Sequence, residues 1–151
     1  MTSFDYQRLR AECLLPFLRG EAALRTAAYE HRGDAGETID AVAVPDTAVL
    51  VVDGVFLLLP ELRELWTLSV YLRVSAEETL RRAHHRDLDL FGSAEEVEGR
   101  YLGRYLPGQA LYRQQSDPEV LAHILVDNEQ ADAPRVERWT ACSRPTSARG
   151  G

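Results

Sequence analysis

The chain has 151 residues, a length that accommodates one domain with one hydrophobic core. Its 24 acidic residues outnumber its 17 basic residues, and the net charge of −7 argues against a general nucleic-acid or anionic-membrane binder. No apolar segment is long enough to span a bilayer, and residues 1–10 lack the pattern of a signal peptide. Cys13 and Cys142 match no metal-ligand spacing, so we expect reduced thiols in a cytoplasmic protein.

The chain begins with a helical pattern. Apolar residues recur at helical spacing between residues 5 and 20, which predicts a helix with Asp5 as its N-cap and Gly20 as its end. Pro16 is expected to kink or shorten this helix, because proline removes a backbone hydrogen bond. Residues 24–31 are compatible with a short strand or a hairpin arm.

An apolar run without a polar break extends from Ala48 to Val52, and a second one follows Asp53-Gly54 as far as Leu59. A continuous run, rather than an alternating one, predicts a strand buried on both faces of a parallel sheet. Gly54 would let the backbone turn sharply after the strand. Asp53 would then lie at the carboxyl end of the strand, where open α/β sheets place their ligands. The alternative is that Asp53 only caps the turn.

The elements that follow alternate between strands and helices. Their predicted order is a short helix at 61–66, a strand at 68–74, a helix from Ser75 to about Arg86, a helix from Ser93, a helix after Pro107 and a strand at 123–128. Ser75 and Ser93 are predicted N-caps, because each begins a capping box in which the serine side chain and the glutamate three residues later satisfy free N–H groups of the first turn. This alternation predicts an α/β fold with a parallel sheet and flanking helices. Residues 1–138 are predicted to form the domain, and the small, polar residues 139–151 a disordered tail.

One helix carries a basic pair. Arg82 and Arg86 are four residues apart and share a helix face, the geometry in which two cations can grip a polyphosphate. Salt bridging is the alternative, since Glu78 lies four residues before Arg82 and Glu77 four before Arg81.

Two aromatic segments are compatible with a nucleoside pocket. Tyrosine and arginine side chains between Tyr101 and Arg113 could stack on a base and hold a phosphate, or pack on a neighbouring helix. Tyr105 and Gln109 share a face if the helix is continuous, but Pro107 is expected to break it. Tyr29-Glu30-His31 could line a substrate pocket or cover a sheet edge.

Together these segments resemble the uridine kinase/phosphoribulokinase branch of the P-loop kinases, particularly the uridine kinase-like proteins of actinobacterial type. The resemblance covers roughly residues 3–130. It is carried by Ser3-Phe4-Asp5, Arg25-Thr26 through Tyr29, Val51-Val52-Asp53-Gly54-Val55-Phe56, Pro60-Glu61-Leu62-Arg63 through Trp66, Arg82 and Arg86-Asp87, Tyr101 to Tyr112, and Val126-Asp127-Asn128. It implies a three-layer P-loop-kinase-like fold and ATP-dependent phosphorylation of a nucleoside such as uridine.

The resemblance also implies roles for single residues. Asp53 would belong to the catalytic phosphate site, where it would act indirectly on Mg²⁺, and Arg82 and Arg86 to the start of the lid over the nucleotide phosphates. Tyr29 is similar to the tyrosine beside the nucleoside. The other implied substrate contacts are His31, Tyr105 and Gln109. Phe91 stands where related kinases often carry a further lid arginine.

The family's ATP-binding loop, G-x-x-x-x-G-K-[ST], does not occur in the chain. The chain therefore resembles the C-terminal part of such a kinase, with the N-terminal βα units missing. Phosphoryl transfer needs that loop, its lysine and Mg²⁺ to hold the phosphates, so we expect ATP and Mg²⁺ to bind poorly and uridine not to be phosphorylated. The alternatives are a non-catalytic remnant and a nucleotide- or partner-binding module.

In this family the strand that precedes the loop lies between the strand ending at Asp53 and the strand near Val70. Its absence would leave strand edges exposed, and exposed apolar edges promote association. We therefore expect a marginally stable or self-associating chain.

Overall fold

The computed structural model describes residues 5–25 and 41–141. The contacts divide these residues into two compact units. The first comprises 5–25 and 41–55, and the second comprises 56–141. Each unit has its own packing and is described by itself. Among the helices of these ranges, none is long and apolar enough to cross a membrane.

The first unit begins with a helical segment. Its helices are α1 (Tyr6–Leu9) and α2 (Leu15–Leu18), joined by the π-helical turn Arg10–Leu14. Asp5 is the N-cap, as predicted, because its carboxylate accepts the Arg8 N–H. Gly20 follows the end of the helix with a φ of 74°, also as predicted. Two short strands, β1 (Ala23–Leu24) and β2 (Val42–Ala43), then pair antiparallel.

The predicted central strand is wrong. Residues 48–54 belong to no strand, and the side chains of Val49 and Val51 are 84% and 82% exposed. A strand needs a neighbour that takes up its backbone hydrogen bonds, and both sheets of the described residues are built from other segments. The turn that follows has its left-handed residue at Phe56, with a φ of 58°, rather than at Gly54.

The second unit contains the longer helices. They are α3 (Pro60–Arg63), α4 (Ala76–Arg86), α5 (Leu88–Phe91), α6 (Ala94–Arg100), α7 (Leu106–Ser116) and α8 (Pro118–Leu121). The predicted N-caps are confirmed, since Ser75 accepts the Glu78 N–H and Ser93 accepts the Glu96 N–H.

Proline does not interrupt either long helical segment. The π-helical turn Tyr101–Tyr105 connects α6 to α7, and Pro107 is the second residue of α7. Pro16 has the same place in α2, after the π-helical turn at 10–14. A proline lacks the N–H of the regular ladder, and the π turn interrupts that ladder just before the ring. The expectation that Pro107 breaks the helix is therefore wrong.

The second unit has one sheet, with strand order β3 (Val70–Arg73), β4 (Ile124–Asp127) and β5 (Arg135–Trp139). β3 and β4 are parallel, in agreement with the predicted α/β class, whereas β5 runs antiparallel to β4 and was not predicted. The fold is thus mixed α/β with a mixed sheet. β5 includes Trp139, the first residue of the predicted tail; residues 142–151 lie outside the description.

Two clusters of buried residues lie in the core of this unit. The first contains Leu58, Tyr112 and Ala122, with Trp66 and Tyr71 packed against it. Its polar atoms are paired: the Leu58 N–H donates to Tyr112 Oη at 3.0 Å, and Trp66 Nε1 donates to the Leu57 carbonyl at 2.6 Å. The second cluster joins α4, α6 and the π turn through Ala83, Val97 and Tyr101.

Candidate functional site

The N-terminus of α4 is held by a carboxylate distant in sequence. The Ser75 N–H donates to Glu129 Oε2 at 2.8 Å, and Ser75 Oγ donates to Glu129 Oε1 at 2.6 Å. In the predicted capping box, Glu78 would have bonded the Ser75 N–H. Glu129 makes that contact, which leaves the Glu78 carboxylate for the two arginines that follow it.

Arg82 is fixed within the unit by three acceptors. Its Nε donates to Glu78 Oε1 at 2.7 Å, and one terminal nitrogen donates to the carbonyls of Asn128 at 2.7 Å and Glu129 at 3.2 Å. Arg81 also bonds Glu78, rather than the predicted Glu77. Hydrogen bonds from Arg81 and Arg82 lower the pKa of Glu78 to about 2. The geometry of Arg82 is that of the salt-bridging alternative.

Arg86 takes part in a second network. It donates to both carboxylate oxygens of Asp87, at 2.7 and 3.0 Å, and to Tyr101 Oη at 2.8 Å. Tyr101 in turn donates to Asp87 Oδ2 at 2.6 Å. Arg86 lowers the pKa of buried Asp87, while burial and the bond to Asp87 raise the pKa of Tyr101 to about 12. The network ties the end of α4 to the π turn, although the Arg86 side chain stays largely exposed.

The aromatic segment packs within the second unit, where Tyr101 lies in the cluster with Ala83 of α4 and Val97 of α6. Tyr105 meets Tyr101 edge to face, with ring centroids 5.0 Å apart. Gln109 is half-buried one turn beyond Tyr105, and both lie in one uninterrupted helical segment. Tyr101, Tyr105 and Arg86 are therefore brought together, in the arrangement of the packing alternative.

The remaining predicted site residues fall elsewhere. Asp53 is exposed and belongs to the first unit, so its implied place in one phosphate site with Arg82 and Arg86 stays a prediction. Tyr29 and His31 lie outside the described residues. Within 5–25 and 41–141, no group of three or more His, Cys, Asp or Glu side chains is placed to hold a metal ion.

The sequence did not predict a depression of about 500 Å³ at the carboxyl ends of β3 and β4, beside the first turn of α4. Its polar lining consists of Arg73, Ser75, Arg113, Glu119, Asp127 and Glu129. The carboxyl ends of parallel strands are the usual ligand side of an α/β sheet. Arg73 and Asp127 are the last residues of β3 and β4, and Asp53 likewise follows its apolar run. A charged residue at the end of an apolar run was the sequence signal that could have located this depression.

The charges around this depression are mixed. Arg73 lies 2.6 Å from Glu137, and Arg135 lies 2.7 Å from Asp127, which lowers the pKa of that carboxyl together with the Glu129 N–H. Arg113 faces the Tyr71 hydroxyl. Burial raises the pKa of this hydroxyl, and the positive charge of Arg113 offsets part of the increase. Two guanidinium groups and the amides of α4 favour an anion, whereas the carboxylates of Glu119, Asp127 and Glu129 oppose one. The Glu129 carboxylate occupies the Ser75 donors that an anionic ligand would use.

Neither a family model, nor a curated protein, nor a solved structure gives a significant match to this chain.

Proposed function

We propose that the protein is uridine kinase-like and binds a nucleoside or its monophosphate in the depression at the carboxyl ends of β3 and β4. In this proposal residues 1–151 do not transfer a phosphoryl group from ATP on their own. The support is the order of the segments that resemble the family, and the β3–α4–β4 unit with its parallel strand pair. We place the protein in the cytoplasm, in keeping with the free thiol of Cys13.

The observation that carries the binding proposal is the position of two arginines beside a helix N-terminus. Arg73 and Arg113 line the same depression as Ser75, the N-cap of α4. A phosphate ester entering there would meet the guanidinium groups and would replace Glu129 as the acceptor of the Ser75 hydroxyl and N–H. The uncharged nucleoside gains none of these contacts, so a monophosphate binds more tightly than its nucleoside.

The proposal that these residues do not transfer a phosphoryl group on their own rests on composition. All 17 basic residues are arginine, so the chain has no lysine to hold the β- and γ-phosphates of ATP. Asp53, Arg82, Arg86, Tyr29, His31, Tyr105 and Gln109 keep their implied roles as predictions. Of the alternatives, a non-catalytic remnant and a module that binds only a partner predict no nucleoside binding, whereas a nucleotide-binding module predicts binding without catalysis.

Isothermal titration with uridine, UMP and ATP tests the binding proposal. We expect saturable binding of UMP, weaker binding of uridine, and for Arg113→Gln a loss of UMP affinity of about tenfold or more, because a charge-assisted hydrogen bond is removed. Arg63→Gln is the matched control, since Arg63 is in α3 and pairs with the adjacent Glu64. Glu129→Gln removes the internal competitor and is expected to tighten UMP binding.

Two results would overturn the proposal. UMP that fails to saturate, or binds wild type and Arg113→Gln equally, would refute the assigned site. Release of ADP in the presence of ATP, Mg²⁺ and uridine would refute the claim that these residues are inactive alone.

A further inference from the structure

β3 is an outer strand of the sheet in the second unit. Its neighbour β4 is hydrogen-bonded to alternate residues of this segment, Ser69 and Arg73 among them. The Ile124 N–H donates to the Ser69 carbonyl, and the Asn128 N–H donates to the Arg73 carbonyl. In a parallel ladder the residues between these direct their N–H and C=O groups to the opposite side. Val70 and Leu72 therefore present their backbone donors and acceptors along the outer edge, where the sheet has no further strand within the described ranges.

The two outer strands of this sheet differ in how they discourage pairing. β5 carries three charged residues, Arg135, Glu137 and Arg138, and its register against β4 is irregular. β3 has regular register and one charged residue, Arg73. Charged side chains and irregular register are the usual protection of sheet edges, so β3 is the less protected strand.

We propose that β3 pairs antiparallel with β3 of a second copy of this chain, across a two-fold axis through Tyr71. In this register Val70 lies opposite Leu72 of the second copy, and Leu68 opposite Val74. Val70 and Leu72 use the backbone groups directed outward, and the two such pairs exchange about four hydrogen bonds. The inference is independent of the proposed function, since the depression lies at the carboxyl ends of the strands.

The sequence of this segment favours a second copy over an unlike strand. Leu68, Val70, Leu72 and Val74 occupy alternate positions and share one face, so the apolar pattern reads the same from either direction around Tyr71. Three of the four are about half exposed: Leu68 50%, Val70 52% and Leu72 55%. Cross-strand contact among them covers part of this apolar surface.

Charge also selects this register. Arg73 lies opposite Ser69 of the second copy, whereas a shift that placed Arg73 opposite Arg73 would oppose like charges. Within its own chain Arg73 is paired with Glu137, so no uncompensated charge enters the contact. A contact limited to one short strand buries little area, and we expect a weak, reversible dimer.

Sedimentation equilibrium from about 10 μM to about 1 mM, a range suited to small interfaces, tests the proposal. We expect a monomer–dimer equilibrium that Leu72→Lys weakens by about tenfold or more, because a charge on an exposed edge strand opposes pairing. Val136→Lys is the matched control: Val136 is 58% exposed on β5 and is expected to leave the equilibrium unchanged.

The register is tested by mixing Val70→Cys with Leu72→Cys under mild oxidation. The mixture is expected to form a disulfide-linked heterodimer faster than either variant forms a homodimer, since opposite residues meet the distance limits of a disulfide. A wild-type chain that stays monomeric over the whole range would overturn the proposal, as would association that Leu72→Lys and Val136→Lys affect equally.

Discussion

Two segments of this protein have almost the same local sequence and different structures. Leu50-Val51-Val52-Asp53 and Ile124-Leu125-Val126-Asp127 are each three branched aliphatic residues followed by aspartate. The second is the central strand of a sheet, and Val126 is 9% exposed. The first belongs to no strand, and Val51 is 82% exposed.

The two segments differ in the strands that lie beside them. β4 has β3 on one side and β5 on the other, and Arg82 binds the carbonyls that follow it. The run at 48–52 has no paired strand in either described sheet. Apolar composition therefore gives a segment the capacity to be a buried strand, and segments distant in sequence determine whether it becomes one.

The largest expected effect is the difference in the free energy of unfolding between substitutions at Val126 and at Val51. Val126→Ala is expected to lower the free energy of unfolding by about 2 kcal/mol, because it removes buried methyl groups from the central strand and leaves a cavity. Val51→Ala is expected to change it by less than about 0.5 kcal/mol, since the side chain is already in water. Urea unfolding followed by far-UV circular dichroism reports on both units. Equal losses would contradict the comparison.

A smaller effect tests the contact that holds the end of β4. Arg82→Met removes hydrogen bonds to two carbonyls and to Glu78, and is expected to cost about 1–2 kcal/mol. Arg81→Met removes only the two hydrogen bonds that this exposed side chain makes to Glu78, and is expected to cost less than about 0.5 kcal/mol. A loss for Arg81→Met as large as that for Arg82→Met would show that Glu78, not the end of β4, is the important partner.

The smallest effect concerns the aspartates that end the two segments. Arg135 and the Glu129 N–H lower the pKa of Asp127 in the folded chain, so its stabilising contribution is present above the unfolded pKa of about 4 and is lost as the pH falls through the folded pKa. Asp127→Asn is therefore expected to lower the urea midpoint at pH 7, with a gap from wild type that narrows in acid. Asp53→Asn is expected to leave the pH 7 midpoint nearly unchanged. A gap that widens in acid would contradict the sign.

Local signals were read correctly where the determining residues are close in sequence. Ser75 and Ser93 set the starts of their helices, Asp5 caps the first one, and the apolar patterns of β3 and β4 gave two parallel strands. The caps depend on residues within one helical turn, and the two strand predictions on short apolar runs whose neighbours the runs themselves do not specify.

The features that the sequence did not predict depend mostly on residues far apart along the chain. Glu129 caps α4 from 54 residues away, and its role cannot be inferred from the spacing around Ser75. β5 has the charged sequence Arg135-Val136-Glu137-Arg138-Trp139, and its pairing with β4 makes it a strand. Pro107 was expected to end a helix because the π turn before it has no clear sequence signature.

Hydrogen–deuterium exchange by mass spectrometry tests the central claim most directly. The amides of residues 124–127 have partners in the sheet, so peptides covering them are expected to exchange at least about 100-fold more slowly than peptides covering 48–53. Fast exchange at 48–53 with protection at 124–127 is the result that this account predicts. Equal, strong protection of both segments would show that residues 48–53 form a buried strand, and would contradict it.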